Sequence, residues 1–298
     1  MVKGKFIEYI KFEKRYSAHT VQAYTTDLNQ FDSFIKEHFN CTDPATADHQ
    51  MIRSWIACLS ENNISTRTIN RKISSLRSYY QYLLQSGSIS EDPLQKVVYP
   101  KSSKELPVYV DQTDMERLFE QAGFTNSFDG LRDRLIMELL YSTGIRLAEL
   151  AGLKEADVDF QNRAIKVTGK RNKQRIIPLS DRILDIISEY IRQKKKQKGG
   201  ENVNLFITKK GNKIYHKMIY RIVHKYLALV TTISRKSPHV IRHSFATHML
   251  NRGADLNAIK ELLGHANLSA TQVYTHNTID KLKTIYKQAH PRASKMEE

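Results

Sequence analysis

Arg146, Lys170, His239, Arg242, His265 and Tyr274 follow one another along the second half of a 298-residue chain. Each lies in a segment whose local pattern could hold it rigid. In Ser142-Thr-Gly-Ile-Arg146-Leu-Ala-Glu149-Leu, Gly144 permits a sharp turn between two helices and puts Arg146 near a helix start. A guanidinium and free backbone N–H groups can converge there on an anion. Taken alone, the plainer account is a surface arginine paired to Glu149. The turn Gly169-Lys170-Arg171-Asn172-Lys173 can carry an ammonium into a groove and present it to a leaving oxygen, or be merely solvated. In Pro238-His239-Val-Ile-Arg242-His243-Ser-Phe-Ala-Thr-His248, residues three and four apart share a helical face, which gathers His239, Arg242 and His243. That many cationic or proton-carrying groups on one face calls for an anion. In Leu262-Leu-Gly-His265-Ala-Asn267-Leu-Ser269-Ala-Thr-Gln-Val-Tyr274, Gly264 ends one helix and Asn267 or Ser269 caps the next. Tyr274 then falls about one and a half turns into that helix. One tyrosine among 15 means little, and its place after the Gly-His turn is what singles it out.

A metal is the competing use for His239 and His243, which stand four apart. The zinc-hydrolase pattern needs a glutamate beside the first histidine, whereas Val240 stands there and no third ligand follows, so no metal and no cofactor are expected. Cys41 and Cys58 form neither a disulfide framework nor a metal spacing and read as reduced thiols of a cytoplasmic protein. The opening stretch has no continuous apolar core, so neither a signal peptide nor a membrane span is expected. Lys and Arg number 47 against 31 Asp and Glu, a formal charge of +16 that points to a polyanion, nucleic acid first, with a membrane surface as the weaker reading.

The elements that must position these residues divide the chain in two. Apolar residues at helical spacing mark helices from Phe6, over His19–Phe39, around Met51–Leu59, and from Ser65 to a stop at Gly87, a small helical bundle. The other face of the last helix carries Arg67, Arg71, Lys72 and Arg77, which either line a DNA groove or are solvated. Pro93, Pro100 and Pro107 with Lys101-Ser-Ser-Lys104 have linker chemistry. The expected organisation is therefore a helical domain over 1–92, a linker over 93–108 and a second domain over 109–298. Within the second domain, Asp111 starts a helix, Leu131–Tyr141 reads as a buried helix, and Leu147–Leu153 resumes it after Gly144. Ala164–Thr168 and Arg175–Leu179 make a β-hairpin. The basic run Arg192–Lys198 before Gly199-Gly200 is expected as an exposed loop, and the remainder as helical. The fold class is mainly α with a small β-hairpin or sheet.

The order of arginine, hairpin lysine, His-x-x-Arg, Leu-Gly-His turn and tyrosine resembles the catalytic domain of the tyrosine recombinases, the integrase and Xer family. The wording of STGIRLAEL, HVIRHSFATHML and LLGHANLSATQVYTH is close to the Xer type. Arg171 departs from it, because glycine is commoner there. The resemblance covers the whole chain, since the N-terminal helices look like the family's core-binding domain. It implies a two-domain clamp on double-stranded DNA, with Tyr274 as nucleophile forming a 3′-phosphotyrosyl link. Arg146, Arg242 and His265 would bind the non-bridging oxygens, Lys170 would act as general acid, and His239 would assist proton transfer. It also implies a homo- or hetero-tetramer exchanging strands through a Holliday junction. A second recombinase and a DNA translocase are candidate partners, and the segment with Leu282, Ile285 and Tyr286 is expected to dock on a neighbouring protomer. The absence of an additional arm-binding domain favours resolution of chromosome dimers over integration of a phage or mobile element. A relaxing topoisomerase and a non-catalytic DNA-binding protein are the remaining alternatives.

Overall fold

Ser65 accepts a hydrogen bond from Thr68 N at 3.4 Å and so starts a helix that runs Thr66–Gln85, with Gly87 at φ +68 just beyond its end. Side-chain capping and a positive-φ stop are the two devices that delimit a helix locally. The computed structural model describes residues 2–101, 108–169, 172–197, 201–264, 284–285 and 288–292. It divides into two units, Met1–Glu105 and Leu106–Glu298.

The first unit contains α1 (Val2–Glu8), a π-helical turn at Tyr9–Glu13, α2 (Ala18–Phe39), α3 (His49–Glu61) and α4 (Thr66–Gln85). Phe6, Leu28, Phe31, Ile35, Ile52, Trp55, Ile73, Leu76 and Tyr80 form its core. Leu94 and Val97, from the stretch expected as linker, are buried in that core too. The basic face of α4 is split. Arg67 and Arg71 are exposed, but Lys72 is buried. Its ammonium bonds Asp27 at 3.2 Å and lies 5.7 Å over the Trp55 ring. Asp27, fully buried, also takes Arg71 and the Ser75 hydroxyl, the latter at 2.8 Å, which ties α2 to α4. Arg77 stacks over Tyr99 at 4.8 Å. Lys72 is therefore a core ion, and the expectation of a uniformly outward basic face fails because Asp27 supplies a buried counter-charge.

The second unit begins with α5 (Gln112–Gln121) and α6 (Phe128–Thr143), and continues with α7 (Leu147–Gly152). A three-stranded antiparallel sheet follows, β1 (Val158–Asp159), β2 (Ala164–Thr168) and β3 (Gln174–Pro178), in the order β1-β2-β3. The hairpin register pairs Ala164 with Pro178 and Thr168 with Gln174. Next come α8 (Asp181–Lys194), α9 (His216–Val230), α10 (Pro238–Asn251) and α11 (Leu256–Leu263). Helix α6 is buried on nearly every side, with Leu135, Ile136, Leu139, Leu140 and Tyr141 all in the core, and it packs against α8 and α10. A helix buried on nearly every side lies at the centre of its domain, and its buried charges are paired there, Arg132 with Asp133 and Glu138 with Arg182 and Arg292.

Two expectations for this unit need correction. Lys194, in the basic run expected to be exposed, is fully buried as the last residue of α8, its ammonium held by Glu155 and by the carbonyls of Asn202 and Asn204, the last at 2.6 Å. It survives burial because every N–H finds an acceptor. The stretch after 215 is also not continuously helical, since residues 231–237 separate α9 from α10. Near the C-terminus, Ile285 packs against the core of its own unit and Ala289–Arg292 is buried. His290 meets the Tyr141 carbonyl at 3.2 Å, and Arg292 bonds Glu138 at 2.7 Å while lying 4.1 Å over the Phe119 ring.

Candidate active site

Gly144 terminates α6 in the left-handed conformation at φ +58, a region that disfavours residues with a side chain. A Cβ there would stand 2.6 Å from Phe245 Cδ1 on α10 and 2.7 Å from Leu263 Cδ2 on α11. The turn between α6 and α7 therefore presses its backbone directly onto two other helices. That contact brings Arg146, Arg242 and the end of α11 together.

Arg146 is the N-cap of α7. Its backbone N–H donates to Glu149 Oε2 at 2.9 Å, its Nη1 donates to Glu149 Oε1 at 2.8 Å, and its Nη2 reaches the Gly264 carbonyl at 3.2 Å. The side chain stays 42% exposed, so the guanidinium can still meet a ligand. Arg242, one turn into α10 and only 7% exposed, donates Nη1 to the Gly144 carbonyl and Nη2 to the Leu263 carbonyl, the latter at 2.7 Å. Sequence spacing did not mark Arg175 as a site residue. It is 5% exposed on β3 and donates Nε to the Leu262 carbonyl and Nη2 to Glu149 Oε2, both at 2.8 Å.

The consecutive carbonyls of Leu262, Leu263 and Gly264 thus each receive a different arginine. They form the negative end of α11, where cations are favourable. Two of the three guanidiniums, those of Arg146 and Arg175, share one carboxylate, Glu149, itself 7% exposed. Burial alone would raise the Glu149 carboxyl. The Arg175 bond and charge and the Arg146 bonds outweigh it and bring it down to about 2. Among the described residues Arg242 bonds no carboxylate; burial and the charges of Arg146 and Arg175 lower it to about 10, so it remains protonated at neutral pH. The result is a strongly electropositive corner.

His239 is exposed at the start of α10, after the Ser237 cap. It and Arg242 do not present equally, because Arg242 turns inward. His243 is half-buried beside Tyr109, with ring centroids 6.3 Å apart, and burial with the nearby His239 lowers its pKa. His248 is buried and shares a 2.8 Å hydrogen bond with the Tyr141 hydroxyl, so it belongs to the core. Lys170, His265 and Tyr274 lie outside the described residues, as do Leu282 and Tyr286. Lys170 follows directly on Gly169, whose missing Cβ would stand 3.0 Å from Glu149 Oε1, and His265 follows directly on Gly264. The signal for Arg175 was present in the sequence. It is an arginine at an inward-facing position of β3, on the same face as Ile177 two residues on.

Residues 109–281 match the model of the phage integrase family, and residues 4–87 match its N-terminal SAM-like domain. The chain belongs to the phage integrase family. It is a tyrosine-type site-specific recombinase with this family's two-part architecture. Among curated integrase-family relatives, it is 37% identical to tyrosine recombinase XerC of Chlorobaculum tepidum, over 97% of this chain and 94% of that protein. It is 38% identical to tyrosine recombinase XerD of Listeria innocua, over 97% of this chain and 98% of the relative. The fold is similar to that of XerH recombinase bound to a palindromic difH substrate, at TM-score 0.72 and 20% identity, covering 91% and 76% of the two chains. It is also similar to that of the Tn1549 transposon integrase in complex with transposon right end DNA, at TM-score 0.73 and 20% identity, covering 94% and 97%. Among the described residues, no helix is long and apolar enough to cross a membrane.

Proposed function

We propose that this recombinase cuts and rejoins double-stranded DNA through Tyr274, and that it acts in the cytoplasm to resolve chromosome dimers. The observation that carries the reading is the corner formed by Arg146 and Arg242 around the end of α11, from which the sequence runs on directly to His265 and Tyr274.

In the proposed step the Tyr274 oxygen attacks the scissile phosphorus, a P–O bond to tyrosine forms, and the bond to the 5′-oxygen breaks. A free phenol titrates near 10 and is a poor nucleophile at neutral pH, so a cationic surrounding favours its anion. Negative charge builds on the non-bridging oxygens, where Arg146 and Arg242 are fitted to receive it, with His265 as a further donor. Lys170 protonates the departing 5′-oxygen, and His239 takes part in proton transfer on the nucleophile side. Each such acid–base role is worth roughly 10² to 10⁴ in rate. The ester retains the bond energy, so the 5′-hydroxyl of a partner strand can reverse the step without ATP. Strand exchange then proceeds through a Holliday junction in a tetramer of one or two recombinases, with a DNA translocase as candidate activator. The charge of +16 supports salt-sensitive DNA affinity, and the exposed Lys217, Tyr220, Arg221 and His224 on α9 offer a face of suitable composition.

The test is covalent trapping with EDTA present. Wild type and Tyr274→Phe are incubated with a nicked suicide duplex carrying the tightest-binding sequence selected from a random library, then run on a denaturing gel. An adduct in wild type alone supports the reading. Binding without adduct in either would favour a plain DNA-binding protein. Relaxation of supercoils with no recombinant product would favour a topoisomerase. Integration of a mobile end would favour the element-borne role.

A further inference from the structure

Arg146 and Arg242 account for two of the three carbonyl contacts at the end of α11, and the reaction scheme gives no task to the third arginine. Arg175 sits opposite Val167 in the hairpin, and the Cα partners of its neighbours continue the ladder on both sides. From there its guanidinium reaches two other elements at once. Nε donates to the Leu262 carbonyl of α11 and Nη2 to Glu149 Oε2 of α7, each at 2.8 Å. Its stem lies under Gly264, at φ +65, where a Cβ would stand 3.2 Å from Arg175 Cδ and 3.3 Å from Nη1. Glu149 passes the constraint on, since its Oε1 holds Arg146 Nη1 at 2.8 Å.

The planar fork of arginine can serve two acceptors on different elements in one fixed geometry, which a lysine ammonium cannot do with the same directionality. A buried ion pair is also a poor means of gaining stability alone, because well-packed apolar residues do as well or better. A chain that needed only a stable junction between hairpin, α7 and α11 had an apolar solution available.

We propose that Arg175 is a positioning residue for strand transfer: by clamping the Glu149 carboxylate and the last turn of α11, it aims the Arg146 guanidinium and fixes where the chain departs from Gly264 toward His265. The inference rests on the reading above, in which Arg146 and Tyr274 act on the phosphodiester. Arg175 itself touches no substrate. Its loss therefore acts on the rate of cleavage rather than on DNA affinity, and a displacement of about 1 Å at the reacting centre costs on the order of 10²-fold.

The experiment uses the full chain with Arg175→Ala, Arg175→Gln and Arg175→Lys. Dissociation constants come from gel shifts on the selected duplex, and adduct rates from the nicked version of it. The expected result is affinity within about threefold of wild type with adduct formation slowed by on the order of 10²-fold in R175A and R175Q. R175K, which keeps charge and length, is expected to recover part of that loss. Millimolar guanidinium ion, too dilute to denature, should restore at least about tenfold of the R175A rate by occupying the emptied slot. If R175A and R175Q fail to fold, the loss of rate at unchanged affinity in R175K carries the test. Variants that cleave at the wild-type rate overturn the proposal, as does a parallel fall of affinity, rate and melting temperature with no guanidinium rescue. A wild-type lane without adduct overturns the Tyr274 reading and this role together, and is told apart because it appears before any Arg175 variant is compared.

Discussion

Replacing Glu149 by glutamine removes the one carboxylate between Arg146 and Arg175 while keeping its shape. Its carboxyl is held down from 4.5 to about 2, so the stabilisation it supplies is complete above about pH 4.5 and disappears as the pH falls toward 2. That interval corresponds to a ceiling of about 3 kcal/mol at pH 7. The side chain is 4% exposed, so solvent screening does little to reduce it. Urea unfolding followed by two probes separates the units. The chain has one tryptophan, Trp55, in the core of the first unit, whereas far-UV circular dichroism sees both. Glu149→Gln should lower the dichroism-detected stability of the second unit by about 2–3 kcal/mol at pH 7 and leave the Trp55 transition in place. The gap between variant and wild type should narrow steadily below pH 4.5. A gap of constant size from pH 7 to pH 3, or one that appears in the tryptophan signal, would refute the argument that this carboxylate is ionised by its two arginines.

Gly144→Ala should destabilise the second unit by about 2–4 kcal/mol, from the positive φ and the overlap with Phe245 and Leu263, measured as an earlier dichroism midpoint. Asp27→Ala strands the buried Lys72 and should cost the first unit about 3 kcal/mol, read directly in the Trp55 fluorescence transition because the ammonium lies over that ring. Replacing both Lys217 and Arg221 on α9 by glutamine should reduce the slope of log affinity against log salt by about 1.8 if each meets one phosphate, whereas an unchanged slope would remove that helix from the DNA face.

Helix boundaries were legible where a local device sets them. Ser65 and Gly87 bound α4, and Gly144 ends α6, because a cap or a positive φ acts within a few residues. The π-helical turn at Tyr9–Glu13 and the two-residue β1 leave no such trace, since both depend on what packs against them. The charged residues divide in the same way. Arg146 and Arg242 stand out in sequence only through the order of the motifs that carry them, and Arg146 taken alone reads as a surface arginine paired to Glu149. Lys72 and Lys194 look in sequence like any solvated cation, and Arg175 is marked only by its place in an apolar strand; the carboxylates that explain their burial, Asp27, Glu155 and Glu149, come from distant sequence. Partners 26 or more residues away in the chain are invisible to periodicity.

The carbonyls that end α11 also decide when conformational freedom is lost. Arginine is among the side chains with most rotamer entropy, and each one frozen on association costs about 0.5–1.5 kcal/mol. Here Arg146 and Arg242 are already oriented by the oxygens of Gly264 and Leu263, protein dipoles in the role of provisional ligands. That ordering takes place as the chain folds, so an arriving phosphodiester meets side chains with little freedom left to surrender. About 1–3 kcal/mol for the pair is thereby spared at the moment of encounter.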